Sequence, residues 1–90
     1  MKVIKFEGHE HAAAKVEKYD NGEMRLISYT TCVAYVDAES CVRVRGLYSR
    51  TTIKHLGWFA KTLGTTYQQL KALYIDDKKM NIYTGEILPV

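Results

Sequence analysis

The sequence predicts an α+β domain: an antiparallel β-meander of three to five strands, packed by two helices in the C-terminal half at about residues 51–63 and 66–75. Three observations predict it. Residues up to Arg45 hold short β-branched and aromatic runs separated by turn residues. After Gly46 the apolar spacing changes from two to three and four. Strands come first and helices afterwards, which favours α+β over an alternating α/β order. Ninety residues make one domain, read as 1–90.

Each element has its own signal. Val3, Ile4 and Phe6 suggest a short opening strand. Residues 7–18 read two ways: His11–Val16 as a helix start, or Val16–Asp20 as a strand running into a turn. Asp20-Asn21-Gly22-Glu23 is the clearest hairpin signal, since Asn-Gly tolerates the two positive φ angles of a type I′ turn. It pairs about Lys15–Asp20 with Glu23–Ser28. Leu26–Asp37 is rich in Tyr, Thr, Val and Ile. A two-residue loop at Ala38-Glu39 would set Val36 against Cys41 and Val33 against Val44. Val33, Tyr35, Val42 and Val44 would then be buried, and Ala34, Arg43 and Arg45 would face the other way. Ser49, Arg50, Thr51 and Thr52 offer helix caps. Ile53, Leu56, Phe59, Ala60 and Leu63 form an amphipathic stripe, stopped by Gly64. Thr65 or Thr66 caps a second helix whose stripe is Tyr67, Leu70, Leu73 and Tyr74. Asp76–Lys79 reads as a solvated turn, and Met80–Tyr83 as a last short strand.

The composition is that of a globular chain, 47% hydrophobic and 26% charged, which argues against disorder. The formal charge is only +3, but it is lopsided. Residues 1–39 carry five bases and seven acids. Residues 40–75 carry six bases (Arg43, Arg45, Arg50, Lys54, Lys61, Lys71) and no acid. Asymmetry of this kind bears on partners rather than fold. The start Met1–Phe6 alternates and lacks the apolar core of a signal peptide, and no apolar run approaches a membrane span. The two cysteines, Cys32 and Cys41, suit a reducing cytoplasm better than a disulfide framework. The expected location is therefore the cytoplasm.

The segment Gly46–Phe59 holds Tyr48-Ser49-Arg50-Thr51-Thr52-Ile53-Lys54-His55-Leu56 and then Phe59. It resembles a pattern, Tyr-Ser-x-Thr-Thr-x-x-His, of small uncharacterised proteins from phages, plasmids and other mobile elements of Gram-positive bacteria. As in that family, the motif follows a pair of strands. The resemblance implies a mobile-element origin and brings no biochemical role with it.

Three clusters qualify as candidate sites. Ser49, Thr51, Thr52 and His55 place hydroxyls near an imidazole, as a nucleophile and base would be. No acid stands nearby to orient the histidine, so helix capping explains them better. His9-Glu10-His11 lacks the further ligands of a metal set, and reads as a solvated segment. The third cluster is a basic strand–helix face: Arg43, Arg45, Tyr48, Arg50, Lys54, Trp58 and Lys61. Cations suit phosphates and aromatics suit bases, while the same face suits an acidic protein surface. Gly57 stands out as a glycine inside a helix. No paired carboxylates, metal set or phosphate-cradling loop appears, so no catalysis, cofactor or metal is expected. The leading expectation is a non-enzymatic protein that binds nucleic acid or a nucleoprotein. The alternative is a small inhibitor or adaptor docking on an acidic host protein, such as a defence factor. A third reading is self-association through the tyrosine-rich sheet.

Overall fold

A computed structural model describes residues 1–90. Seven strands and two helices follow in the order β1 (Lys2–Ile4), β2 (Ala14–Lys18), β3 (Met24–Ser28), β4 (Thr31–Val36), β5 (Cys41–Val44), α1 (Arg50–Thr62), α2 (Tyr67–Asp76), β6 (Lys78–Asn81) and β7 (Ile87–Pro89). All seven strands join one antiparallel sheet in sequence order. The α+β meander and the two helices match the expectation, while three to five strands is too few. β1 lies at the expected opening strand and β6 overlaps the expected strand at Met80–Tyr83, while β7, of three residues, is the strand without a sequence signal. A piece that short is defined only by pairing with its neighbour.

Residues 7–18 resolve into turns followed by a strand. His9 N–H bonds to the carbonyl of Phe6 and Ala12 N–H to that of His9, before β2 begins at Ala14. Asp76–Lys79 is not a solvated turn throughout. α2 closes on Asp77 in the left-handed region (φ 54°), and Lys78 already belongs to β6.

Both long hairpins use three-residue loops rather than two. In the first, Tyr19 pairs with Glu23, and only Gly22 is left-handed, at φ 92°. That is a type I turn closed by a bulge, not a type I′ turn. In the second, Asp37 pairs with Cys41 and Ser40 takes the left-handed place at φ 66°. The Asp37 carboxylate accepts from the backbone N–H groups of Glu39 (2.9 Å) and Cys41 (3.0 Å), which holds this loop. The register therefore shifts by one: Val36 faces Val42, Tyr35 faces Arg43 and Ala34 faces Val44. Tyr35 leaves the predicted core face, and Ala34 joins it. Val33 stays buried because the ladder shifts between Leu26 and Ile27, which makes Val33 a bulge residue.

The core lies on one side of the sheet. Ala14, Val16, Leu26, Ala34, Val36, Val42, Val44 and Met80 face Leu56, Phe59 and Ala60 of α1 and Leu70 and Leu73 of α2. Ser49 caps α1 through its side chain, which accepts from Thr52 N–H. At the other end Gly64 is left-handed (φ 79°), Thr65 N–H bonds to the Ala60 carbonyl and Gly64 N–H to that of Lys61. This is a Schellman stop. Thr66 caps α2 by accepting from Gln69 N–H.

Candidate functional site

The hydroxyl–histidine motif folds into the interior. Thr52 and His55 lie on the buried side of α1, and Ser28 of β3 meets them there. Ser28 Oγ stands 2.8 Å from His55 Nδ1 and 3.5 Å from Thr52 Oγ1, which in turn accepts from the Ser49 hydroxyl at 3.1 Å. Burial, with the Lys54 charge as a lesser cause, lowers the His55 pKa and keeps the ring neutral. A hydroxyl on an imidazole has the outline of a nucleophile and base. Here Ser28 and His55 are each only 2% exposed, so no substrate reaches them. The arrangement is a polar seam tying α1 to β3. Thr51 is half-buried at the helix start and has no side-chain bond.

Trp58 widens the buried side of α1 instead of standing free. Its ring packs against Phe6 (centroids 5.6 Å apart) and His55 (5.1 Å), and His9 stacks on it at 3.9 Å, nearly parallel. The Lys54 ammonium lies 5.4 Å from the indole centroid. His9 is exposed, as the sequence reading has it, and its ring also covers one face of Trp58. A cleft of about 520 Å³ beside them is lined by Phe6, Glu7, His9, Trp58 and Lys61 among others.

The predicted basic face divides in two. Arg43 lies on the helix-free side of the sheet, and with Arg45 it lines a groove of about 750 Å³ shared with Arg25, Tyr35, Tyr74 and Asp77. None of the α1 residues reaches that groove. It also holds two acids, Glu23 and Asp77: Arg43 bonds Asp77 at 3.1 Å, while Arg25 lies over the Tyr19 ring at 4.9 Å. With Asp77 80% exposed, the Arg43 pair is worth at most about 1 kcal/mol. Tyr48 lies between the two groups with its ring folded over Gly46, where an added Cβ would come within 2.5 Å of the ring.

Arg50, Lys54 and Lys61 form the second group. At about 100° per residue they fall within about 40° of one another around α1, directly opposite Leu56 and Phe59. All three are exposed, no carboxylate lies within ion-pair distance of them, and α1 has no acid in its first turn. Trp58 borders this stripe on the Lys54 side and Gly57 on the Arg50 side.

Sequence reasoning missed Arg25, Tyr35, Tyr74 and Ser28 as site residues, and weighed His9 only as a metal ligand or solvated residue. The Asp37 side-chain turn was the available signal for Tyr35. The Ser28–His55 pair, 27 residues apart, had none.

No helix is long and apolar enough to cross a membrane, and no group of three or more histidine, cysteine or acidic side chains is placed to hold a metal ion. No curated protein and no solved structure matches the chain. Residues 2–80 match one family pattern, and the chain belongs to that family of unknown function, DUF8033.

Proposed function

We propose that this protein is a non-enzymatic binding protein that holds nucleic acid, alone or within a nucleoprotein, on the solvent face of α1. It works in the cytoplasm as a phage- or plasmid-borne factor. The observation that carries the reading is the placement of Arg50, Lys54 and Lys61: unpaired, on one line, and opposite the core. They span about 16 Å at a rise of about 1.5 Å per residue. Contacts from such side chains to phosphates fix position and carry no sequence information.

A protein partner would need an apolar centre on the same surface. The one large apolar side chain there is Trp58, and His9 already covers one face of its ring. That weighs against the inhibitor or adaptor reading. The sheet groove is the weaker site for a polyanion, because Asp77 pairs with Arg43 and both Asp77 and Glu23 line it.

The test is fluorescence anisotropy with a short mixed-sequence duplex and the matching single strand. Three phosphate contacts predict an affinity falling about 40-fold between 50 and 200 mM salt, from a log–log slope of about 0.9 per contact. Charge reversal at Lys54 and Lys61 together should abolish binding, whereas Arg43→Glu should change it little. Absence of binding at low salt would sink the reading. So would tight, salt-insensitive capture of an acidic protein, or a dimer whose formation hides α1. A phage or plasmid neighbourhood of the coding sequence is the matching genetic observation, and a chromosomal housekeeping locus would contradict the origin.

A further inference from the structure

Gly57 sits in the interior of α1, where glycine is the least favourable residue after proline. Nothing inside the molecule asks for it. Its φ is not in the left-handed region, and a Cβ built on it would meet no atom within 4 Å. Gly46 makes the contrast, since the Tyr48 ring occupies the space its side chain would fill. The helix could carry alanine at 57 without displacing anything. Gly57 also has a particular address: it is half-buried, three residues after Lys54 and four before Lys61, about 60° from the first and about 40° from the second around the axis. The bare spot thus lies along the edge of the acid-free stripe, with one cation a turn before it and another a turn after it.

Glycine at such a place lets another backbone come closer than any side chain allows. The flanking cations select a negative one. A protein backbone carries no net charge, whereas a sugar–phosphate chain carries one per nucleotide. Lys54 and Lys61 are about 10 Å apart along the axis, the length of three nucleotide steps at about 3.4 Å each. We infer that a sugar–phosphate backbone crosses α1 at Gly57, lying against the bare helix with Lys54 and Lys61 on phosphates about three steps apart. This rests on the nucleic-acid reading above and makes it specific: affinity comes from close approach as well as charge. It also makes these contacts indifferent to base sequence, because they go to phosphates and not to base edges.

The test is the G57A variant, which adds one methyl group and removes no charge. It is expected to raise Tm by about 4–8 °C, because it replaces glycine in a helix of a small domain. It is also expected to weaken binding to duplex, single strand or both by at least about ten-fold, with the salt slope unchanged. Whichever form loses affinity is the one whose backbone crosses the helix. The K54A variant should instead lower the slope by about one. If G57A binds both forms as tightly as the wild type while K54A weakens them, the crossing at Gly57 is overturned and nucleic-acid binding stands. A G57A protein less stable than the wild type would reveal an internal need for glycine and overturn the inference as well. If the wild type binds neither form, both readings fall together.

Discussion

Ser28→Ala is the sharpest probe of the seam between α1 and β3. The Ser28 hydroxyl is the hydrogen-bond partner of His55 Nδ1, at 2.8 Å, and both residues are 2% exposed. Removing it strands a buried ring nitrogen where water has no room to replace the lost bond. The cost of an orphaned buried polar group is about 1–3 kcal/mol, more than the net worth of the bond itself. With a urea m-value of about 1 kcal/mol/M for a domain this small, the midpoint should fall by about 1–3 M at unchanged m. The accompanying drop in Tm is at least about 4 °C. A second variant separates loss of the bond from loss of packing. Ser28→Ala with His55→Leu removes both partners, and the ring's other neighbours, Tyr29 and Trp58, are aromatic. The pair should be more stable than Ser28→Ala alone, because nothing polar remains unpaired. A Ser28→Ala protein within about 0.5 kcal/mol of wild type would refute the reasoning. So would a double variant that simply adds the two single losses.

Two other outcomes follow from the same geometry. The lowered His55 pKa means that the unfolded chain binds the proton more readily than the folded one. Stability should be level above the unfolded value of about 6.5 and fall as pH drops below it, and His55→Leu should flatten that fall; a Tm that is constant down to pH 5 would contradict the seam. Ser40 sits at φ 66° with no side-chain bond, so Ser40→Gly removes left-handed strain of about 1–2 kcal/mol against an entropic cost of about 0.5–1 kcal/mol. A Tm rise of a few degrees is expected, and a decrease would mean that the serine contributes something the backbone angle does not reveal.

The helices were legible because capping residues, apolar stripes and the Gly64 stop all act within a few neighbours. Ser49, Thr66 and Gly64 stand where the sequence places them, to within one residue at each helix end. The sheet was legible in kind but not in register. A two-residue and a three-residue loop differ by one backbone position, and that position decides which side Tyr35 takes. The choice rested on the Asp37 carboxylate, a polar interaction that hydrophobic alternation does not report. The basic face was legible as a list of residues but not as one surface. Six bases without an acid look continuous along the chain, yet Asp77 returns from beyond α2 to meet Arg43. Trp58 could be placed on the helix but not assigned to core or solvent for the same reason, since its cover, His9, comes from the opposite end of the sequence. What escaped the reading is tertiary: partners supplied by segments far away in the chain.

The insertion of both helices between two neighbouring strands has a kinetic consequence. Every strand pairs with the next one along the chain, and only β5 and β6 are far apart, separated by residues 45–77. Their ladder is short, Cys41 with Asn81 and Val42 with Met80. The chain is thus a string of local hairpins plus a single distant closure, a low-contact-order design that favours fast folding. The first five strands can zip in order, the helices can then settle on them, and β6 and β7 come last. By the same token the C-terminal hairpin is the cheapest piece to detach. In native-state hydrogen exchange its amides should open first, while those of β3 and β4, under α1, hold until the whole molecule unfolds.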